Sequence, residues 1–225
     1  MRFIREWGIF ILVIVLIILS RIFIWDVATV DGNSMDPTLG NGQRLIMLKG
    51  NSNIKRFDIV VAQETVDQTK LNSVDPSSVT KGTVIIKRVI GLPGDTIKYE
   101  DDTLYIKPAG ASSFTKYDEP YLDAYQKLFA NGQLADQYAK IPLTSTVTAA
   151  VRSNFVQLAK NTKAFTTDNS GNPNFTVTVP EGEYYLMGDD RVVSADSRKV
   201  GAFEKSQIIG KPFLRYWPLT KLGGI

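Results

Sequence analysis

The sequence predicts a mainly β, antiparallel fold carrying an inserted α+β region and preceded by one N-terminal transmembrane helix. Three observations predict it. The chain opens on a long apolar run almost free of charge, continues in short β-branched runs punctuated by Gly, Asn and Pro, and changes to helical spacing in its middle. At 225 residues and 44% apolar content it is long enough for one domain with a real core, or two small lobes sharing one.

Residues 7–25 read WGIFILVIVLIILSRIFIW, interrupted only by Ser20 and Arg21. As a helix rising about 1.5 Å per residue, this run spans roughly 28 Å, close to the hydrocarbon thickness of a bilayer. Trp7 and Trp25 suit the headgroup level, and Arg21 lies near enough to one end to snorkel. Arg2 and Arg5 precede the run, while Asp26, Asp31 and Asp36 follow it before Arg44. The positive-inside rule therefore places residues 1–6 in the cytoplasm and 26–225 outside it, with a single pass through the cell membrane. A cleavable signal peptide would share the basic start, but the run is long for one and no small-x-small site follows it.

Strands are expected at residues 27–30, 44–48, 58–62 and 83–90. A hairpin is expected within 96–106, turning at Glu100-Asp101-Asp102, and Pro93-Gly94 is placed for a type II turn. From about 119 to 163 the pattern shifts. Tyr121, Tyr125, Leu128 and Phe129 fall at helical spacing, and 149–158 reads as a second short helix. Strands return at 175–179 and 184–187. The middle, about 107–180 at its widest and 119–174 at its least strand-like, reads as a cap-like insertion in the β core.

Absences narrow the chemistry. With no cysteine and no histidine, disulfides, thiol nucleophiles, Ser-His-Asp triads and the usual zinc sites are all excluded. Any hydrolytic base must be a carboxylate, a lysine or a tyrosine. The net charge of +3, from 26 basic and 23 acidic residues in no single block, gives no reason to expect nucleic acid. No cofactor or metal site is expected.

Three segments could carry chemistry. In TVIIKRVI, residues 83–90, both strand faces are apolar except for Lys87 and Arg88. Lys87 reads either as a strand-end base reaching solvent or as a buried amine whose lowered pKa lets it act as a general base. In VDGNSMDPTL, residues 30–39, Ser34 sits on a turn that Gly32 allows to bend. It reads either as an ordinary turn serine or as an exposed nucleophile whose own N–H faces a developing oxyanion. Ser34 lies nine residues beyond Trp25, at most about 30 Å of extended chain, so it would work near the membrane. In GDDRVVSADSRK, residues 188–199, Arg191 and Arg198 offset Asp189, Asp190 and Asp196. A carboxylate–guanidinium framework bracing a loop fits better there than a cation site.

Taken in order behind the N-terminal run, GNSMDPTL, RFDIVVA, IKRVIGLPGDTI and GDDRVVSADSR resemble the boxes of type I signal peptidases (leader peptidases), in the single-anchor form common in Gram-positive bacteria. The resemblance implies an antiparallel core of the kind shared with LexA-like self-cleaving repressors. It also implies a Ser/Lys dyad, with Ser34 as nucleophile and oxyanion N–H donor and Lys87 as general base. Ser194 would be the hydroxyl that orients the lysine, Asp196 and Arg198 a supporting ion pair, and Met35 part of the substrate platform. The partners it implies are the lipid bilayer and secretory preproteins, cut after a small-x-small site. Two positions depart from the family pattern. Gly32 stands where some members carry a hydroxyl donor for the oxyanion, and Asp190 where asparagine is frequent. Two other readings stand beside this one: a self-cleaving repressor-type Ser/Lys peptidase, and a non-catalytic signal-peptidase-like factor for surface-structure assembly. The N-terminal run counts against the first, and the presence of both dyad residues against the second.

Overall fold

The computed structural model describes residues 2–225, with side chains from Trp7 onward. The side chains of Arg2 and Arg5, which orient the expected anchor, lie outside the described ones. The chain begins with helix α1 (Arg2–Phe23), whose apolar side chains are mostly exposed, Ile9 at 66% and Phe23 at 73%. Among the described residues, no helix is long and apolar enough to cross a membrane.

The helix ends at Phe23, and Trp25, the last residue of the expected span 7–25, opens a strand. The Ile24 N–H makes the last helical bond, to Ser20 O, and Trp25 pairs with Leu48 in a sheet. Lys49 Nζ donates to the carbonyls of Arg21 and Ile22, both at 3.0 Å, and so satisfies the orphan acceptors of the helix C-terminus. Arg21 does not stand free. It pairs with Asp26 at 3.5 Å and lies over the Trp25 ring.

Beyond this joint run β1 (Trp25–Thr29), β2 (Arg44–Lys49), β3 (Ile59–Gln63), α2 (Val66–Asn72), β4 (Val84–Gly91), β5 (Thr96–Glu100), β6 (Thr103–Lys107) and β7 (Thr115–Tyr117). Helices α3 (Asp123–Ala130), α4 (Leu134–Ala139) and α5 (Ala149–Asn161) follow. The chain closes with β8 (Phe175–Thr178), β9 (Glu183–Met187), α6 (Ser197–Val200), β10 (Phe203–Glu204), β11 (Ile208–Trp217) and β12 (Gly223–Gly224). The larger sheet runs β1-β2-β11-β3-β4-β9-β10, with β12 added beside β11. The smaller runs β7-β6-β5-β8. Every pairing is antiparallel.

The expected hairpin forms between β5 and β6. Asp101 and Asp102 both take positive φ, 47° and 62°, the backbone that a two-residue type I′ turn needs. The expected turn at Pro93-Gly94 also forms, with Gly94 at φ +76°. Strand β4 is buried from Lys87 through Gly91, while Val84 at its start is exposed. Its buried half joins two cores. Val89 packs with Val60, Leu186, Phe203 and Ile208, and Ile90 packs with Ile97, Tyr99, Leu104 and Met187. The helices between β7 and β8 have a core of their own, built on Leu122, Tyr125, Leu134, Tyr138 and Phe165.

Strand β11 is the spine of the larger sheet. Gly210 faces Lys49 of β2 on one side and Val61 of β3 on the other. A Cβ there would stand 2.3 Å from Leu48 O. Gly210→Ala is therefore expected to destabilise the domain by roughly 1–3 kcal/mol, the usual cost of overpacking, read as a lower denaturant midpoint with unchanged slope.

Candidate active site

The turn that carries Ser34 is fixed by backbone bonds and by two buried anchors. Val30 N–H donates to Gln43 O at 2.8 Å, Asp36 N–H to Asn33 O at 3.0 Å and Leu39 N–H to Met35 O at 2.8 Å. Met35 and Leu39, 1% and 0% exposed, pack with Val30, Leu45 and Ile59. Gly32 takes φ +89°, and its N–H donates to Asn41 Oδ1. Burying the residues on either side leaves Ser34 half-exposed at the lip. The hydroxyl faces Lys87, whose Nζ donates to Ser34 Oγ at 2.6 Å.

Lys87 is 4% exposed, so the reading in which it reaches solvent does not hold. Burial lowers its pKa, and the carboxylates of Asp196 and Glu64 only partly oppose this. Glu64 was not singled out from the sequence. It follows β3, is itself buried, and accepts bonds from Thr69 Oγ1 and Asn72 Nδ2 of α2, both at 2.9 Å. The sequence signal was available: Thr65 and Gln68 form a capping box that starts α2.

The 188–199 loop is a carboxylate–guanidinium framework, as its composition suggests. Asp196 accepts Nε and Nη2 of Arg198, both at 2.8 Å, and the Gly188 N–H at 3.0 Å. Burial disfavours the Asp196 carboxylate, but Arg198 and these N–H groups hold its pKa down at about 2. Arg198 Nη1 in turn donates to Arg191 O and Thr167 O. Asp189 accepts Nε and Nη2 of Arg88 at 2.8 and 2.6 Å, and the Thr38 hydroxyl at 2.6 Å. Arg88 is thus a structural partner that the strand pattern alone could not distinguish from a strand-end base.

The loop touches the Ser34 turn directly. Asp190 N–H donates to Ser34 O at 3.1 Å. At Gly188 a Cβ would lie 2.2 Å from Ser194 Oγ and 2.4 Å from Ser34 O, so no side chain fits between them. Ser194 Oγ is buried with no hydrogen-bond partner. The bond between Ser194 and Lys87 that the family resemblance implies is not formed here: Lys87 donates to Ser34 Oγ, and Ser194 Oγ has no partner. Among the described residues no acceptor takes the Ser34 N–H, which leaves it available to an oxyanion, and nothing lies within 4 Å of a Cβ placed on Gly32.

The inserted helices dock on the same loop. The Tyr138 hydroxyl of α4 donates to Asp190 Oδ1, and Asp190 Oδ2 is buried without a partner. Burial pushes the Asp190 carboxyl up to about 8, with the nearby Asp36 carboxylate adding to the shift against the bond from Tyr138. Arg191, fully buried, reaches Glu119 and the Tyr99 hydroxyl, and Val192 and Val193 pack against the helical core. Two clefts meet at the Ser34–Lys87 pair. One, of about 540 Å³, is lined by β1, β4, Met35, Met47 and Ile209; the other, of about 420 Å³, by Asp31, Asn33, Glu64, Asn72 and Val193.

Gly188→Ala is expected to abolish any activity that depends on Ser34 and to lower stability, checked by a turnover assay beside a thermal melt. Asp190 has a folded pKa raised above its unfolded value. Its contribution to stability is therefore fully present below about pH 4 and is lost as pH rises towards about 8. Asp190→Asn, which cannot ionise, should accordingly gain in Tm relative to the parent as pH is raised from 5 to 8. A constant difference over that range would contradict the shift.

The family described as "Signal peptidase, peptidase S26" matches residues 4–217. The chain is 45% identical over 222 residues to signal peptidase I of Streptococcus pneumoniae strain R6, covering 99% of this chain and 97% of that one. It is 33% identical over 220 residues to signal peptidase I of Bacillus caldolyticus, covering 96% and 92%. A signal peptidase I structure from Enterococcus faecalis V583 overlaps with a TM-score of 0.42 at 24% identity, covering 71% of this chain and 97% of that one. With the family match spanning nearly the whole sequence, inserted helices included, the chain belongs to the signal peptidase family, peptidase S26.

Proposed function

We propose that this chain is a signal peptidase I: a membrane-bound serine endopeptidase that removes signal peptides from secreted preproteins, with Ser34 as nucleophile and Lys87 as general base. The observation that carries the assignment of residues is the 2.6 Å contact between Lys87 Nζ and Ser34 Oγ, made by a lysine that the fold has taken out of water. An amine whose pKa is lowered by burial is neutral over more of the physiological range, and only the neutral amine accepts a proton.

Lys87 takes the hydroxyl proton as Ser34 Oγ attacks the scissile carbonyl. The carbonyl oxygen becomes an oxyanion facing the free Ser34 N–H, and the charged lysine then protonates the leaving amine. Water repeats the sequence on the ester and restores Ser34. Once protonated, Lys87 carries three N–H donors and needs a further acceptor. The buried, unpartnered Ser194 Oγ suits that role, which supports Ser194 as the group that orients the lysine. Asp196 and Arg198 hold the loop, and their opposite charges act on Lys87 in opposite directions. Met35 and the apolar cleft beside it suit the small side chains that end a signal peptide.

The exposed apolar side chains of α1 support a single-pass anchor, and Arg2 and Arg5 before the apolar run support an orientation with the N-terminus in the cytoplasm and the catalytic domain outside it. Large apolar side chains left in water along a whole helix require a nonaqueous partner. The non-catalytic alternative is disfavoured by the same Ser34–Lys87 contact, which a scaffolding role has no need to preserve.

The test is cleavage of a secretory preprotein by the full chain in detergent or vesicles. Ser34→Ala and Lys87→Ala are expected to lose about a thousandfold or more, and Lys87→Arg to be as inactive as Lys87→Ala, since a guanidinium does not deprotonate. Retained turnover in Lys87→Arg would require another base. Because Lys87 works deprotonated and its pKa is lowered, kcat/KM should climb with pH through a group titrating below the ~10.4 of free lysine.

A further inference from the structure

A third depression, of about 600 Å³, lies between α5 and the segment 167–171, and it is not separate from the catalytic clefts. Val193 and Ala195 line both it and the cleft that holds Ser34 and Lys87, so the two depressions adjoin across the 193–195 segment, and α5 borders both, through Phe155 on one and Asn154, Gln157 and Asn161 on the other. On the helical wall of the third depression stand Asn154, Gln157 and Asn161, spaced three and four apart and therefore on one face of α5. The opposite face of α5 is apolar and packed, through Val151, Phe155 and Ala159. The three amide side chains are exposed, and none makes a hydrogen bond among the described residues.

We propose that this groove binds the first residues of the mature protein, the segment C-terminal to the cut, in extended form, so that the inserted helices are a substrate-binding element. The inference rests on the protease reading above. Its direction comes from the contrast between the two sides of Ser34. A chain crossing the nucleophile occupies the apolar cleft of Met35, Met47 and Ile86 on one side and must leave by the other. That exit carries more polar residues, Asn33, Glu64 and Asn72 among them, set beside Ile85, Phe155 and Val193, before the α5 amides. An apolar cleft suits the end of a signal peptide, and a polar exit suits the soluble segment that follows it. Amide side chains both donate and accept, so they can bond the backbone of any extended peptide whatever its side chains. Such tolerance suits an enzyme whose products begin with unrelated sequences. From 154 to 161 the helix rises about 10 Å, the length of roughly three extended residues.

The experiment uses the full chain in detergent micelles and two peptides that share one signal-peptide end. The short peptide carries two residues after the cleavage site, and the long one carries ten, drawn from Ser, Ala and Gly. The parent enzyme is expected to show a kcat/KM several-fold higher on the long peptide. The triple variant Asn154→Ala, Gln157→Ala, Asn161→Ala should raise KM about five- to tenfold on the long peptide and leave the short one within twofold. Equal loss on both, or none on either, overturns the inference. Gln157→Lys offers a second readout that does not depend on truncating the wall. It should favour long peptides with Glu at the distal positions over those with Lys, and indifference to that charge also counts against the groove. If the parent cuts neither peptide, the protease reading itself fails.

Discussion

The geometry at Ser34 depends on one carboxylate that does no chemistry. Asp189, with no exposed surface, takes two hydrogen bonds from Arg88 and one from Thr38. Arg88 follows Lys87 on β4, and Thr38 lies four residues after Ser34. A single buried group therefore ties the strand of Lys87, the turn of Ser34 and the 188–199 loop to one point. Buried ion pairs of this kind contribute little net stability, because desolvation offsets most of their attraction, yet removing one partner costs about 3–5 kcal/mol. What the pair supplies is register. The guanidinium also lies 3.9 Å over the Tyr121 ring and donates to Phe57 O, so its position is set from several directions.

Around that point the fold resolves a conflict of electrostatics. As the proposed base, Lys87 would work in its neutral form, and burial favours this, yet Asp196 and Glu64 lie close enough to favour its charged form. Both carboxylates are engaged elsewhere, Asp196 by Arg198 and Glu64 by the side chains of α2. The pull on Lys87 is thereby limited while the loop keeps the charges it needs for its own bracing. Asp190 is handled differently. It is buried with one oxygen on Tyr138 and the other on nothing, and its carboxyl is pushed towards the neutral form instead of being paired.

Much of this was legible in the sequence, and what was not has identifiable physical causes. The strands β2 to β6, β8 and β9 carry enough β-branched or alternating residues to declare themselves, and the hairpin turn at Asp101-Asp102 lies where the charged tripeptide pointed. Strand β11 was missed although it is the longest. Gly210 and Pro212 interrupt its pattern, and only pairing with neighbours on both sides overrides them. Helices α2 and α4 are too short for periodicity, although α2 has a capping box. Motif order and the missing histidine pointed to Ser34 and Lys87, and the fold brings the two side chains into contact. Their surroundings were not legible, because Arg88–Asp189, Tyr138–Asp190 and Arg191–Glu119 join residues 52 to 101 positions apart, and no local pattern reports such pairs.

The joint between α1 and β1 has a mechanical consequence. Helix passes to strand through Ile24 alone, the helix C-terminus is held by the Lys49 ammonium, and the same ammonium reaches Asp26 at 3.4 Å. A tethered enzyme on a loose leash would sample a range of heights above a bilayer. Here the helix axis and the sheet are clamped, so with α1 seated in lipid as proposed, the nucleophile is held at one elevation and one tilt. On the proposed reading the joint would serve as a ruler: which bond of a membrane-inserted substrate can be cut would follow from how far its chain extends above the lipid, before any side chain is read.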